Sequence, residues 1–358
     1  MALAADEREI MERLKKAYRQ AARDCREKIR ELSMRADMEN LQSIIYQRQY
    51  QELLKKQIDR TLDDLCSGEF TAISEYIAHC YETGFLGVLY DLQGQGVPLM
   101  FPMNVDEAAR AVQVDSRLSE PMYGRLGEDT RKLKKSIRAE LSRGIANGSS
   151  WNKIAACIST GMNSPFRAAY NNSVRIARTE GHRVQNEAAF QCQQQAKARG
   201  ADILKIWDAT LDGKTRPHHI ELDGQAKEVD EPFEVAGKKA MYPGGFGDAS
   251  EDCNCRCVLI QRSRTIGEWD GGFAKMNNFT GEIMAFKNRK SYEEFKEGFF
   301  SKENRKCMNY VETLEKRYGT KDFRKIMGSM TDREYSHYKS LSDAVQGFWE
   351  GYRKGQGQ

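Results

Sequence analysis

The chain has 358 residues, 40% of them hydrophobic and 30% charged, which is long enough for two or three domains with real cores. Aromatics at 9% and no excess of Gly or Pro exclude a disordered or fibrous chain. The 56 basic and 52 acidic side chains nearly cancel to a net charge of +4, so any nucleic-acid contact has to be a local patch.

The opening stretch, MALAADEREIMERLKK, has acidic residues where a secretory signal needs an apolar core, and no apolar run nears the ~20 residues that cross a bilayer. The expectation is a soluble intracellular chain whose nine cysteines are reduced. Residues 5 to about 65 are dense in Glu, Lys, Arg, Gln and Leu. Apolar positions there fall at helix spacing, at Ile10, Leu14 and Tyr18 and then at Leu41, Ile44, Ile45, Leu53 and Leu54. A second helical stretch covers about 69–90, and LQGQGVPLMFPMN at 92–104 breaks it with Gly and Pro, a first domain boundary.

Helices return between about 105 and 200. Ser150 can cap a short helix carrying Ile154 and Ile158, and Ser164 followed by Pro165 starts a long one that Gly200 stops. The buried stripe of that helix is Val174, Ala177, Gly181, Val184 and Ala188, with Arg178 and His182 beside it. From 203 the period changes: ILKIWDAT, AKEVDEPFEVAGKKAMYPGG and CRCVLIQR read as short strands joined by Gly turns, a small antiparallel sheet resting on the helix. From 263 onward the chain reads as helical and charged. The fold class is α+β: long N-terminal helices, a central unit of helices on a small sheet, and a helical C-terminal extension.

Three cysteines stand at every second position in EDCNCRCVLI, Cys253, Cys255 and Cys257, while the other six are scattered. In a reducing compartment clustered thiols point to a metal more than to a crosslink. On a flat strand such sulfurs lie about 6.5–7 Å apart, too far to share an ion with Zn–S near ~2.3 Å, so CNC has to bend ahead of the strand with Arg256 pointing away. Imidazoles complete the set. Of the adjacent His218 and His219 only one can face a given site, and His182 comes from the long helix. The candidate metal ligands are His182, His219, Cys255 and Cys257, a closed Cys₂His₂ zinc site, with Cys253 and Asp223 as rivals. The alternative is a core of small buried cysteines without metal. Glu180, His182, Asp212, Asp223 and His219 also sketch a metal-assisted hydrolase, but there is no HExxH, GxSxG or Walker sequence to demand catalysis. Trp207 is expected to anchor the sheet, and Asp212 to pair locally with Arg216.

The order of motifs, ARTEGHRVQNEAA on a helix, then WDATLDGKTRPHH and LDG, then MYPG and NCRC, resembles the phage Mu F-like head-morphogenesis family over roughly 130–262. The resemblance implies a non-enzymatic minor head protein of a tailed bacteriophage, a structural virion protein at the portal vertex, made in the host cytoplasm. Its implied partners are the portal protein, with the major capsid or scaffolding protein and packaged DNA as further candidates. On the family pattern the motif residues are Arg178, Thr179, Glu180, Trp207, Asp212, Arg216, His219, Asn254, Cys255 and Cys257; Cys253 stands outside it. The domain reading is a helical arm or stalk at 1–104, the Mu F-like unit at 105–262 and an extension at 263–358. The RKLKK run at 131–135 is a candidate DNA contact, with a solvated helix face as the competing account. The runner-up functions are a metal-dependent nuclease or hydrolase and a toxin-like effector encoded after 262.

Overall fold

In a computed structural model of the chain the described residues are 2–33, 44–97, 99, 101–103, 119–146, 151–159, 164–264, 273–276, 283–286, 294–295, 297–320 and 323–343. The Glu, Lys and Leu-rich stretches form the helices α1 (Ala2–Ser33) and α2 (Ile44–Gly94), followed by α3 (Ser119–Ala146) and α4 (Trp151–Ser159). Ile10, Leu14 and Tyr18 are buried on one face of α1, as their spacing predicts; the expectations for Leu41 and for Ser150 as a cap fall outside the described residues.

The long helix α5 (Pro165–Ala198) starts as its sequence dictates: Ser164 accepts the Arg167 N–H at 3.3 Å and Pro165 occupies the first turn. Gly200 leaves it at φ +91, a left-handed exit that suits glycine. Ala177, Gly181, Val184 and Ala188 are buried in a core that runs from Ile10 of α1 through α2 to the sheet. Two glycines let α2 and α5 cross closely. A methyl at Gly84 would stand 2.2 Å from the Gln185 carbonyl oxygen, and one at Gly181 would stand 2.5 Å from the Tyr76 ring. A second core joins α1, α2, α3, α4 and α5 through Tyr18, Ile29, Leu62, Ile137, Ile158 and Phe166.

The sheet has three antiparallel strands: β1 (Ile203–Asp208) lies between β2 (Ala226–Glu228) and β5 (Val258–Ser263), with Trp207 opposite Leu259 and Lys205 opposite Lys227. Between them lie the one-and-a-half-turn α6 (Pro217–Leu222), the hairpin β3 (Phe233–Val235) and β4 (Lys238–Ala240), and the short α7 (Ala249–Asp252). Beyond 263 the extension is helical as expected, with one added pair of strands. A hairpin of β6 (Phe273–Met276) and β7 (Ile283–Phe286) precedes α8 (Lys302–Tyr318), α9 (Phe323–Ser329) and α10 (Asp332–Asp343). Four-residue strands carry too few alternations to stand out in a charged context. The hairpin is tied to the central unit by Lys275, whose ammonium sits 2.8 Å from Asp208 and also contacts Asp223. Leu211 of the central unit enters the core built by Phe299, Met308, Val311, Ile326 and Tyr338. Among the described residues no helix is long and apolar enough to cross a membrane.

Candidate metal centre

Proline at the first turn of α6 and a two-residue bend ahead of β5 set the site. His219 is buried while its neighbour His218 is half-buried, so only one imidazole of the pair turns inward. Cys255 and Cys257 precede the strand, which begins only at Val258, and Asn254 takes φ +55 in the turn that redirects the chain. His219 Nδ1 lies 3.2 Å from Cys257 Sγ and 3.6 Å from Cys255 Sγ. The three ligand atoms all lie within 4.8 Å of one another, and each residue is at most 3% exposed. One nitrogen and two sulfurs buried together form a donor set that suits a borderline-soft cation, and together they could hold a metal ion.

The surroundings orient these donors. Glu251 Oε2 is 3.4 Å from His219 Nε2, the far ring nitrogen, near enough for an electrostatic contact although no hydrogen bond is formed there. Glu251 accepts from His218 at 2.9 Å and Lys238 at 3.0 Å; against the upward push of burial these contacts hold its carboxyl below the usual range. Trp207 is fully buried and packs edge-on against His219, with ring centroids 5.7 Å apart, and against Phe233 and Phe246. The hydrogen bond from Cys257 holds the Cys255 thiol well below its ordinary value, and burial pushes Cys257 well above it.

The fourth predicted ligand is elsewhere. His182 is buried on α5, but its Nε2 lies 3.3 Å from Glu7 of α1, which also takes the Arg178 Nε–H at 2.5 Å. The N-terminal helix docks on this flank of α5 and takes the imidazole; His182 is not one of the three clustered donors. Neither rival joins the group. Cys253 ends α7, and Asp223 accepts the Ala209 N–H at 2.8 Å beside Lys275, its carboxyl pushed up by burial to about 6.

The remaining motif residues brace the bend. The Thr179 hydroxyl accepts the Asn254 N–H at 3.0 Å, fixing the left-handed residue to α5. Glu180 is buried against Arg183 at 2.8 Å, and Arg183 also reaches Glu187. Arg216 does not pair with Asp212 as expected: it donates to the carbonyls of Glu251, at 3.1 Å, and Cys253. Asp212 instead takes both arms of Arg256, one at 2.9 Å, because Arg256 points away from the sulfurs toward the turn. Sequence reasoning missed Asn186 and Glu251. Asn186, inside the ARTEGHRVQNEAA motif, is a buried amide next to an apolar stripe, which is the signal that could have singled it out. Its Nδ2 donates to the Cys257 carbonyl at 2.9 Å and its Oδ1 accepts the Leu259 N–H at 2.8 Å.

Every motif side chain named above lies within residues 135–260, and those residues match the family model described as Phage Mu protein F like protein. Over these residues the chain is Mu F-like. The chain is 35% identical over 130 residues to the minor head protein GP7 of Bacillus phage SPP1, covering 36% of this chain and 41% of that protein. It is also 35% identical over 228 residues to the NAD(+)-arginine ADP-ribosyltransferase EFV of Enterococcus faecalis, covering 62% of this chain and 44% of that protein. The chain thus spans less than half the length of either relative. No solved structure matches it.

Proposed function

We propose that this Mu F-like chain is a minor head protein of a tailed bacteriophage, acting at the portal vertex in head assembly and in DNA packaging or ejection, by binding and not by turnover. The observation that carries this reading is what the motif side chains do. Arg178, Thr179, Arg216 and Asp212 each tie one segment of the unit to another around the buried cluster, a division of labour suited to holding a shape. In this reading His219, Cys255 and Cys257 hold a structural zinc that pins α6 to the bend before β5. The name of the phage SPP1 relative supports the assignment.

The portal protein is the proposed main partner, with the major capsid or scaffolding protein as further candidates and the virion as the site of action. Packaged DNA would meet local basic side chains only. In the RKLKK run Lys134 is already paired with Asp63 and Lys132 lies near Glu128, which leaves Arg131 and Lys135 as the more available charges. The transferase activity named for the Enterococcus relative stays with that protein, of which the match covers 44%.

The test is copurification. Expressed beside its portal protein, the chain should be recovered with it at a low, fixed ratio, and its purified form should neither cleave DNA nor transfer ADP-ribose from NAD to arginine. Nuclease activity that His219→Ala abolishes while the fold is retained would replace the structural reading with an enzymatic one.

A further inference from the structure

Trp207 stands against the donor cluster with a polar group left over. The residue is 0% exposed, and among the described residues its indole nitrogen has no oxygen or nitrogen acceptor. Water cannot take that place, because no part of the residue is open to a water molecule. Folded proteins leave few buried N–H groups unpaired, since each gives up its hydrogen bonds to solvent without replacement.

The fold fixes where this N–H points. β1 places Trp207 opposite Leu259, two residues after Cys257. The indole is wedged edge-on against His219 and Phe233, with ring centroids 5.7 and 5.3 Å away, and lies tilted on Phe246 at 5.7 Å. Its N–H is turned to the Cys257 sulfur, which itself lies 3.2 Å from His219 Nδ1. In the metal-free chain this contact falls short of a formed hydrogen bond, which suits a thiol, a weak acceptor. The sulfur that a metal takes is a thiolate, and a thiolate accepts a charge-assisted hydrogen bond.

We propose that Trp207 is a positioning residue of the metal centre: its indole N–H donates to the Cys257 sulfur when that sulfur is a metal-bound thiolate. This inference rests on the metal reading above. Cys257 is then held from two sides, by Asn186 on its carbonyl at 2.9 Å and by the indole on its sulfur, so its approach to the ion is set before the ion arrives. The bond also draws charge from one of two buried sulfurs that lie within 4.8 Å of each other, which eases their repulsion as thiolates. Phenylalanine at this position would fill most of the same space and supply no donor.

The test uses the full chain with nitrogen-labelled indoles, loaded with an NMR-active cadmium isotope. In the parent the Trp207 indole proton should move downfield on loading and split by coupling to cadmium through the Cys257 sulfur. The chain has four tryptophans, and Phe substitutions at Trp151, Trp269 and Trp349 assign the other three signals, so this readout stands even if Trp207→Phe fails to fold. Folded Trp207→Phe should bind cadmium and cobalt more weakly by about tenfold to a hundredfold. Its sulfur-to-cobalt charge-transfer band should move to lower energy, a shift that lost packing alone would not give. An indole proton that shows no coupling and lies upfield, over the ring of Phe233 or His219, would overturn the proposal. So would an unchanged band and affinity in folded Trp207→Phe. No ion bound by the parent, or one bound equally well by Cys257→Ser, would overturn the metal reading and this inference with it.

Discussion

Asn186→Ala should be the most informative substitution in the Mu F-like unit, because one side chain holds two buried backbone groups of the segment that carries the sulfurs. The amide donates to the Cys257 carbonyl at 2.9 Å and accepts from the Leu259 N–H at 2.8 Å, and all three residues are at most 5% exposed. Truncation strands a carbonyl and an N–H at about 1–3 kcal/mol each, so the expected loss is about 2–5 kcal/mol. A groove beside Asn186 can admit water to relieve part of this, which favours the lower half of that range. Asn186→Asp keeps the acceptor for Leu259 but sets a carboxylate oxygen against the Cys257 carbonyl, so it should not rescue stability at neutral pH. The assay is urea unfolding of parent and variants at pH 7, with metal content measured on the same samples. A loss below about 0.5 kcal/mol for Asn186→Ala, within the range of an ordinary surface change, would refute the clamp. Full rescue by Asp would show that the donation to Cys257 contributes nothing.

Gly84→Ala should destabilise by about 1–3 kcal/mol or more, since the added methyl would meet backbone and not a movable side-chain tip; a thermal melt equal to the parent's would show that the two helices can separate freely. Elemental analysis should find bound metal lost in Cys255→Ser and His219→Ala and kept in His182→Ala, whose ring faces Glu7; loss in the His182 variant would return that residue to the ligand set. Glu69 is buried beside the Tyr18 hydroxyl at 2.9 Å, and burial raises its carboxyl to about 7. The folded state therefore holds this proton more tightly than the unfolded state, and its contribution is complete below about 4.5 and lost as pH rises toward 7. Glu69→Gln should flatten that decline, a difference of up to about 3 kcal/mol between urea titrations at pH 4 and pH 8; parallel pH profiles for parent and variant would contradict it.

What could be read from the residues alone was local. The start of α5 at Ser164 and Pro165, its exit at Gly200 and its buried stripe follow from signals a few positions long, and so does the pairing of a bent CNC with the inward histidine of TRPHH. The failures were contacts between distant segments. His182 was assigned to the sulfurs because nothing in its neighbourhood announces Glu7, 175 residues earlier. Asp212 was given its near neighbour Arg216, whereas its actual partner is 44 residues away across the sheet. Spacing arguments rank nearby charges first, but the packed fold chooses by direction: Arg216 is turned to the end of α7, and Arg256, facing away from the sulfurs, meets the turn at Asp212.

These distant contacts bear on what the proposed metal would add to so small a sheet. Its strands are three to six residues long, too short for a three-stranded layer to be rigid by its own ladder. Hydrophobic burial of Trp207, worth about 1.5–3 kcal/mol for a large side chain, fixes the layer against its neighbours but does not set the path of the loop that leads into β5. That path is set by groups aimed at individual backbone atoms: Thr179 on Asn254, Arg216 on Glu251 and Cys253, and Asn186 on Cys257 and Leu259. In the proposed reading the ion adds a further link between α6 and the bend, from His219 to Cys257 across 38 residues of chain, to the one Arg216 already makes. Because its donors come together only in the folded chain, its binding free energy adds to the stability of the folded unit. His219, Cys255 and Cys257 fill three of the four positions of a tetrahedral ion, and burial of all three donors to 3% exposure or less suits a bracing role.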